Sequence, residues 1–285
     1  MAIRTVGVLG CGLMGAGISQ VSAQAGFSTV VVEVNQELLD RGLAGLRKTL
    51  DGLVAKAKLE AREKDAILGR ISGTTRLEDL KASDLIVEAI TENQELKNET
   101  FAKLDGICPP HTILASNTSS CNVTAMAAAT KRPQQVLGLH FFNPVPLMKL
   151  VEVVRTILTD DASVKAAWAW VEALGRVPVA AKDSTGFIVN RLLVPYLLEA
   201  VRVYESGLAT LEDIDQAMKL GCGYPMGPFT LLDLVGLDTT LYVAEVMFEE
   251  FREARFAPPP LLKRMVVAGY LGRKSGRGFY NYSQR

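Results

Sequence analysis

Histidine is nearly missing from this chain. Only His111 and His140 occur among 285 residues. A search for a group that moves protons near neutral pH therefore has two obvious candidates. Cysteine is sparse as well. Cys11, Cys108, Cys121 and Cys222 are too far apart to form a C-x-x-C metal or redox pair. They read as reduced thiols of a cytoplasmic chain, with no bound metal. No excess of one charge exists, since 31 Lys and Arg balance 31 Asp and Glu. That balance excludes a polybasic surface for nucleic acid or a membrane. There is also no uninterrupted apolar run of about 18 residues to span a bilayer. The apolar start MAIRTVGVLGCGLMGAGI carries only Arg4 as a charged leader and has no convincing cleavage site.

Hydrophobic residues make up 48% of the chain, enough for ordinary buried cores. At about 100–200 residues per domain, the length suggests two domains. The first part alternates β-branched runs with helical patterns. Strands are expected at Thr5–Leu9, Thr29–Val34, Asp84–Ile90, Thr112–Ser116 and Val136–Phe142, with two more at Met148–Val154 and Val177–Ala181. Helices are expected from Met14 to Ala25 and from Gln36 to about Leu59, where Leu39, Leu43, Leu46 and Leu50 keep helical spacing. Continuous apolar strands separated by helices imply a Rossmann-type, doubly wound, mainly parallel α/β sheet. After Lys182 only helical periods remain. Thr210 is suited to cap a helix that Gly221 would stop. The expected division is residues 1–183 for the α/β domain and 184–285 for an all-helical domain.

The segment Gly10-Cys11-Gly12-Leu13-Met14-Gly15 matches G-x-G-x-x-G. Alone the pattern is weak, but here it follows a strand and opens a helix, the context a dinucleotide site requires. Gly10 permits the turn, Gly12 lets a pyrophosphate approach, and Gly15 lets the helix pack on the strand. The helix start, Leu13 and Met14 included, offers N–H groups and a positive dipole end to phosphate. Glu33 lies eighteen residues after Gly15, where an acid can bind the adenosine ribose hydroxyls. It would repel a 2′-phosphate, which favours NAD over NADP.

His111 follows Pro109-Pro110 and reads as a surface turn residue. His140 lies near the carboxyl end of an expected strand, the edge where open α/β sheets bind ligands. It reads either as a core histidine or as an acid/base group. Glu152 is a lone acid in the apolar run LVEVV and needs a partner if buried. His140 is the natural one; an ion pair with Lys149 or Arg155 is the alternative. The polar cluster Ser116-Asn117-Thr118-Ser119-Ser120 suits a helix cap, a site, or both.

In its motifs the chain resembles the 3-hydroxyacyl-CoA dehydrogenase family, most closely the bacterial 3-hydroxybutyryl-CoA branch. The shared stretches are GVLGCGLMGAGI, SDLIVEAI, ILASNTSS, GLHFFNPVPLMKLVEVV, DSTGFIVNRLLVPYLLEA, EDIDQAMKLGCGYPMGPF and GRKSGRGFYNY. The resemblance implies an oxidoreductase that interconverts short-chain (S)-3-hydroxyacyl-CoA and 3-ketoacyl-CoA with NAD, in fatty acid and butanoate metabolism. It implies His140 as catalytic acid/base, with Glu152 as its partner. Ser119 and Asn190 would hydrogen-bond the substrate. Glu33, Ala89, Glu92, Lys97, Ser119, Asn143 and Lys274 would serve the cofactor, and Lys56 the CoA phosphates. Separately, apolar stretches such as Leu231-Leu232-Asp233-Leu234-Val235 suit the helical domain to pair as a homodimer across a two-fold. Cys121, Arg76, Gly52 and Ala55 depart from the family's usual residues, which bears on CoA recognition rather than on the catalytic set. Two alternatives share the scaffold. The 6-phosphogluconate and 3-hydroxyisobutyrate dehydrogenases place a lysine four residues before their interdomain asparagine; Gly186 stands there in this chain. Non-catalytic NAD-binding relatives would have lost His140 or Glu152.

Overall fold

A computed structural model describes residues 3–283. The chain divides into two compact units, Met1–Ser184 and Thr185–Arg285. The first is built on a single eight-stranded sheet. Its strands are β1 (Thr5–Leu9), β2 (Ser28–Val32), β3 (Ile71–Thr74), β4 (Leu85–Glu88), β5 (Ile113–Ser116), β6 (Val136–Phe141), β7 (Leu150–Arg155) and β8 (Val177–Lys182). They lie in the order β3-β2-β1-β4-β5-β6-β7-β8. Only the β6–β7 pairing is antiparallel; every other neighbour is parallel. The order reverses between β1 and β4, which places the switch point beside the glycine turn.

Helices α1 (Leu13–Gln24), α2 (Gln36–Ala55), α3 (Ala61–Leu68), α4 (Gln94–Ile107), α5 (Val123–Ala128) and α6 (Asp161–Ala173) connect the strands. Ile18 and Val21 of α1 pack with Val8, Val87, Leu139 and Trp170 in the main core. Burying each such aliphatic side chain is worth about 1.5–3 kcal/mol, so α1 is held firmly below the glycine turn. A second core joins Ala23, Leu46, Leu50 and Ile67.

The sequence reading differs from the structure at several points. Helix α2 ends at Ala55 rather than near Leu59, and Ala57 takes a positive φ of 52° just beyond it. Strand β3 and helix α3 were not expected. Helix α8 (Leu211–Cys222) passes through Gly221 and stops at Gly223, whose φ of 69° is left-handed. Thr210 does cap α8, accepting the Asp213 N–H.

The second unit is helical. Besides α8 it comprises α7 (Val189–Glu205), α9 (Pro228–Val235), α10 (Leu237–Phe251) and α11 (Pro260–Val267). Leu198, Phe229, Leu232, Met247 and Phe256 are fully buried at its centre. Two buried acids pin its parts together. Asp215 accepts N–H groups from Phe229 and Thr230 at the start of α9, and the Tyr280 hydroxyl. Asp233 accepts the Phe279 and Tyr280 N–H groups and the Tyr282 hydroxyl. Among the described residues, no helix is long and apolar enough to cross a membrane.

Candidate active site

The glycine turn joins β1 to α1 at the carboxyl edge of the sheet, and each of its glycines meets a different constraint. Gly10 has φ of 97°, a conformation that L side chains rarely adopt. A Cβ on Gly15 would lie 1.9 Å from the Gly10 carbonyl oxygen, so the helix could not close on the strand. A Cβ on Gly12 would meet no atom within 4 Å, and its φ of −70° is ordinary. The fold therefore does not need glycine at 12. The open space leaves the backbone accessible to a group such as a dinucleotide pyrophosphate. Leu13 is 73% exposed and Met14 half-buried at the first turn of α1, where free N–H groups point outward. Glu33 directly follows β2. Its carboxylate accepts the Cys11 N–H at 2.7 Å and the Val34 N–H at 2.8 Å. An acid is thus held between the glycine turn and the second strand, where a ribose diol would meet it.

The carboxyl ends of β4 and β5 carry a buried charged network. Glu88, the last residue of β4, is fully buried and accepts Lys97 Nζ at 2.6 Å, Ser116 Oγ at 2.7 Å and the Ile90 N–H at 2.7 Å. Lys97, from the first turn of α4, is also fully buried and lies 3.7 Å from Glu92. Glu92 in turn accepts Thr118 Oγ1 at 2.6 Å, the Ser119 N–H at 2.8 Å, Ser119 Oγ at 3.2 Å and Cys121 Sγ at 3.2 Å. Burial works against the Glu92 charge. The Lys97 ammonium and the donors from Thr118, Ser119 and Cys121 outweigh it and hold the carboxyl below its ordinary range. Burial, with the facing Glu92 charge, pushes the Cys121 thiol up to about 11, so Cys121 stays protonated and donates. Ala89 is half-buried, and its carbonyl oxygen would lie 2.6 Å from a Cβ on Gly10.

His140 and Glu152 face each other across β6 and β7, whose antiparallel register pairs the two residues directly. Opposed residues share a face of the sheet with Cβ atoms about 4.5–5.5 Å apart, within reach of a side-chain hydrogen bond. Nδ1 of His140 lies 2.6 Å from Glu152 Oε2. His140 is 5% exposed and Glu152 fully buried. Lys149 or Arg155 is not needed to explain Glu152; Arg155 pairs with Asp161 instead. The Phe142 ring lies 4.5 Å from the imidazole, centroid to centroid. Asn117, after β5, accepts the Phe141 N–H through Oδ1 at 3.0 Å and so fixes the strand end that carries His140. Asn117 belongs to the polar cluster that the sequence pointed out, whereas Glu88 was not singled out. For Glu88 the signal was present: it is a lone acid inside LIVE, the same pattern that singled out Glu152.

The helix cap expected of residues 116–120 lies outside that cluster. Asn122 caps α5, accepting the Ala125 N–H, which frees Thr118 and Ser119 to bind Glu92. Ser119 remains half-buried. Asn143 is exposed after β6. His111 is exposed and lies 3.6 Å from Asp84, away from this constellation. Lys56 is exposed at the carboxyl end of α2. In the helical unit, Asn190 is half-buried in the first turn of α7, and Lys274 forms an ion pair with Asp238 at 2.7 Å.

A doubly wound sheet, a glycine turn at its switch point and an acid after its second strand together define a dinucleotide-binding dehydrogenase domain. Comparison with known proteins makes this specific. Residues 5–184 match the family model described as 3-hydroxyacyl-CoA dehydrogenase, NAD binding domain, and residues 186–282 match the C-terminal domain of the same family. The chain belongs to the 3-hydroxyacyl-CoA dehydrogenase family. It is 51% identical, over 99% of both chains, to a 3-hydroxybutyryl-CoA dehydrogenase of Mycobacterium tuberculosis. The human mitochondrial hydroxyacyl-coenzyme A dehydrogenase is 47% identical, over 98% of this chain and 91% of its own. Among solved structures, (S)-3-hydroxybutyryl-CoA dehydrogenase from Ralstonia eutropha superimposes with a TM-score of 0.95. It is 47% identical and is covered completely by 99% of this chain.

Proposed function

We propose that this chain interconverts short-chain (S)-3-hydroxyacyl-CoA, 3-hydroxybutyryl-CoA above all, and the matching 3-ketoacyl-CoA with NAD. The observation that carries the reading is the buried His140–Glu152 pair at 2.6 Å, at the carboxyl edge of the sheet of a family NAD-binding domain. Bound nicotinamide would supply the hydride chemistry at C3, as acceptor from the alcohol or donor to the ketone. The protein's part is to place the substrate and move the proton.

Nδ1–H of His140 donates to Glu152, which leaves Nε2 as the basic ring nitrogen. In oxidation Nε2 takes the proton from the C3 hydroxyl, and the C3–O bond becomes a carbonyl. In reduction the imidazolium returns that proton to the ketone oxygen. Glu152 offsets the charge the ring gains. Ser119 orients the C3 oxygen, since a hydroxyl makes directional hydrogen bonds; for Asn190, in the helical unit, substrate binding rests on the family resemblance alone. Gly10, Gly12, Leu13, Met14 and Gly15 receive the pyrophosphate. Glu33 receives the adenosine ribose and disfavours NADP. Ala89, Glu92, Lys97 and Asn143 complete the cofactor side, and Lys56 meets CoA phosphate; for Lys274, in the helical unit, a cofactor role rests on the family resemblance alone.

We assign the chain to the cytoplasm, which its four free thiols support. A homodimer through the helical unit is supported by an apolar groove of about 520 Å³ lined by Tyr196, Val203, Leu208, Ile214 and Met218. The direct test of the function is initial rates with acetoacetyl-CoA and longer 3-ketoacyl-CoAs, each with NADH and NADPH. The expected result is turnover highest with acetoacetyl-CoA and NADH. No turnover with any of these thioesters would refute the proposal.

A further inference from the structure

The network at the ends of β4 and β5 sets two carboxylates against one lysine. A buried ammonium must meet a counter-charge, and Glu88 supplies one at 2.6 Å. Glu92 is a second acid, 3.7 Å from the same nitrogen. Glu92 also gathers Thr118, Ser119 and Cys121 as donors, and stabilising an anion is what such donors do. The fold therefore maintains a carboxylate on the edge where His140 stands.

The position gives this charge a consequence. A dinucleotide lies across the switch point with one mononucleotide on each half of the sheet. Glu33, which follows β2, marks the adenosine half. The β4–β5–β6 half, bearing Glu92, Ser119 and His140, is left for nicotinamide. That ring carries a positive charge when oxidised and none when reduced. A fixed negative charge nearby stabilises the two forms unequally, and more so where water is excluded.

We propose that the Glu92 carboxylate is a specificity-determining group for cofactor oxidation state, favouring NAD+ relative to NADH. Glu88 acts in the same sense from behind Lys97. The inference rests on the NAD-dependent reading given above. Neutralising Glu92 weakens NAD+ binding more than NADH binding, whatever the absolute affinities.

The test is the ratio of dissociation constants for NAD+ and NADH, measured by titration calorimetry on the full chain without acyl-CoA. In Glu92→Gln the ratio Kd(NAD+)/Kd(NADH) rises about tenfold, equivalent to about 1.4 kcal/mol. Glu92→Asp keeps the charge and leaves the ratio unchanged within about 1.5-fold. Glu88→Gln leaves the Glu92 donors in place and raises the ratio by about threefold. It carries the test should Glu92→Gln fail to fold. A merely structural role weakens both cofactor forms by the same factor. An unchanged ratio in either folded glutamine variant overturns the proposal while leaving the NAD-dependent reading intact. If the unmodified chain bound neither form, both would fall.

Discussion

Replacing Glu152 by glutamine removes one charge from a fully buried pair while keeping its size and an oxygen that can accept from His140 Nδ1. The imidazole therefore keeps its tautomer and loses only the charge that offsets its protonated form. With a 2.6 Å contact, the charge centres lie about 4 Å apart, and at an effective dielectric of about 20 their attraction is about 4 kcal/mol. Converted fully into barrier height, that is about a thousandfold in rate. The retained hydrogen bond and local relaxation reduce the effect, so kcat for acetoacetyl-CoA reduction is expected to fall about a hundredfold to a thousandfold. The assay follows NADH absorbance at saturating substrate, beside calorimetric titration of NADH. Cofactor affinity should stay within about threefold, because Glu152 supports the histidine and not the nucleotide. A folded Glu152→Gln protein that turns over within about threefold of the unmodified rate would refute the role assigned to this pair.

Four further outcomes follow from the structure. Gly12→Ala should keep its melting temperature yet lose at least about tenfold in NAD affinity, since its Cβ meets no protein atom. Gly15→Ala should instead melt several degrees lower, because its Cβ would collide with the Gly10 carbonyl; calorimetry of both variants separates the two effects. The folded-state carboxyl of Glu92 lies below its ordinary range, so its stabilising contribution is full above the unfolded value and is lost as pH falls through the folded one. Thermal melts from pH 6 down to 3 should therefore fall more steeply for the unmodified chain than for Glu92→Gln, and parallel curves would contradict this. Burial holds Cys11, Cys108 and Cys121 at about 11, whereas Cys222 is exposed. An aromatic disulfide reagent at pH 8 should thus label Cys222 rapidly and the other three only on unfolding.

The features legible in the sequence were those whose cause is local or periodic. Strand β1, the glycine turn and the Thr210 cap each follow from a few adjacent residues, and all three are present. The His140–Glu152 contact was legible for another reason: an acid inside an apolar strand demands a partner, and the chain has few histidines. The same reasoning applied to Glu88 would have exposed the Lys97 network. Strand β3 was hidden because ISGT is short and carries a glycine. Gly73 is there because Leu39 and Leu43 of α2 press against it, a tertiary cause with no local signature. Asp215 and Asp233 could not be read either, since their backbone partners lie 14 and 46 residues away. Lys274 shows the limit of a motif: GRKSGRGFY marks the residue, but only the structure shows its ammonium engaged by Asp238.

If one imidazole carries the proton, His140→Ala should abolish most of the turnover and spare the cofactor. Turnover of acetoacetyl-CoA and binding of NADH should be measured on the same preparation. The account predicts a fall in kcat of at least about a hundredfold with NADH affinity nearly unchanged. Turnover equal to that of the unmodified chain would contradict it.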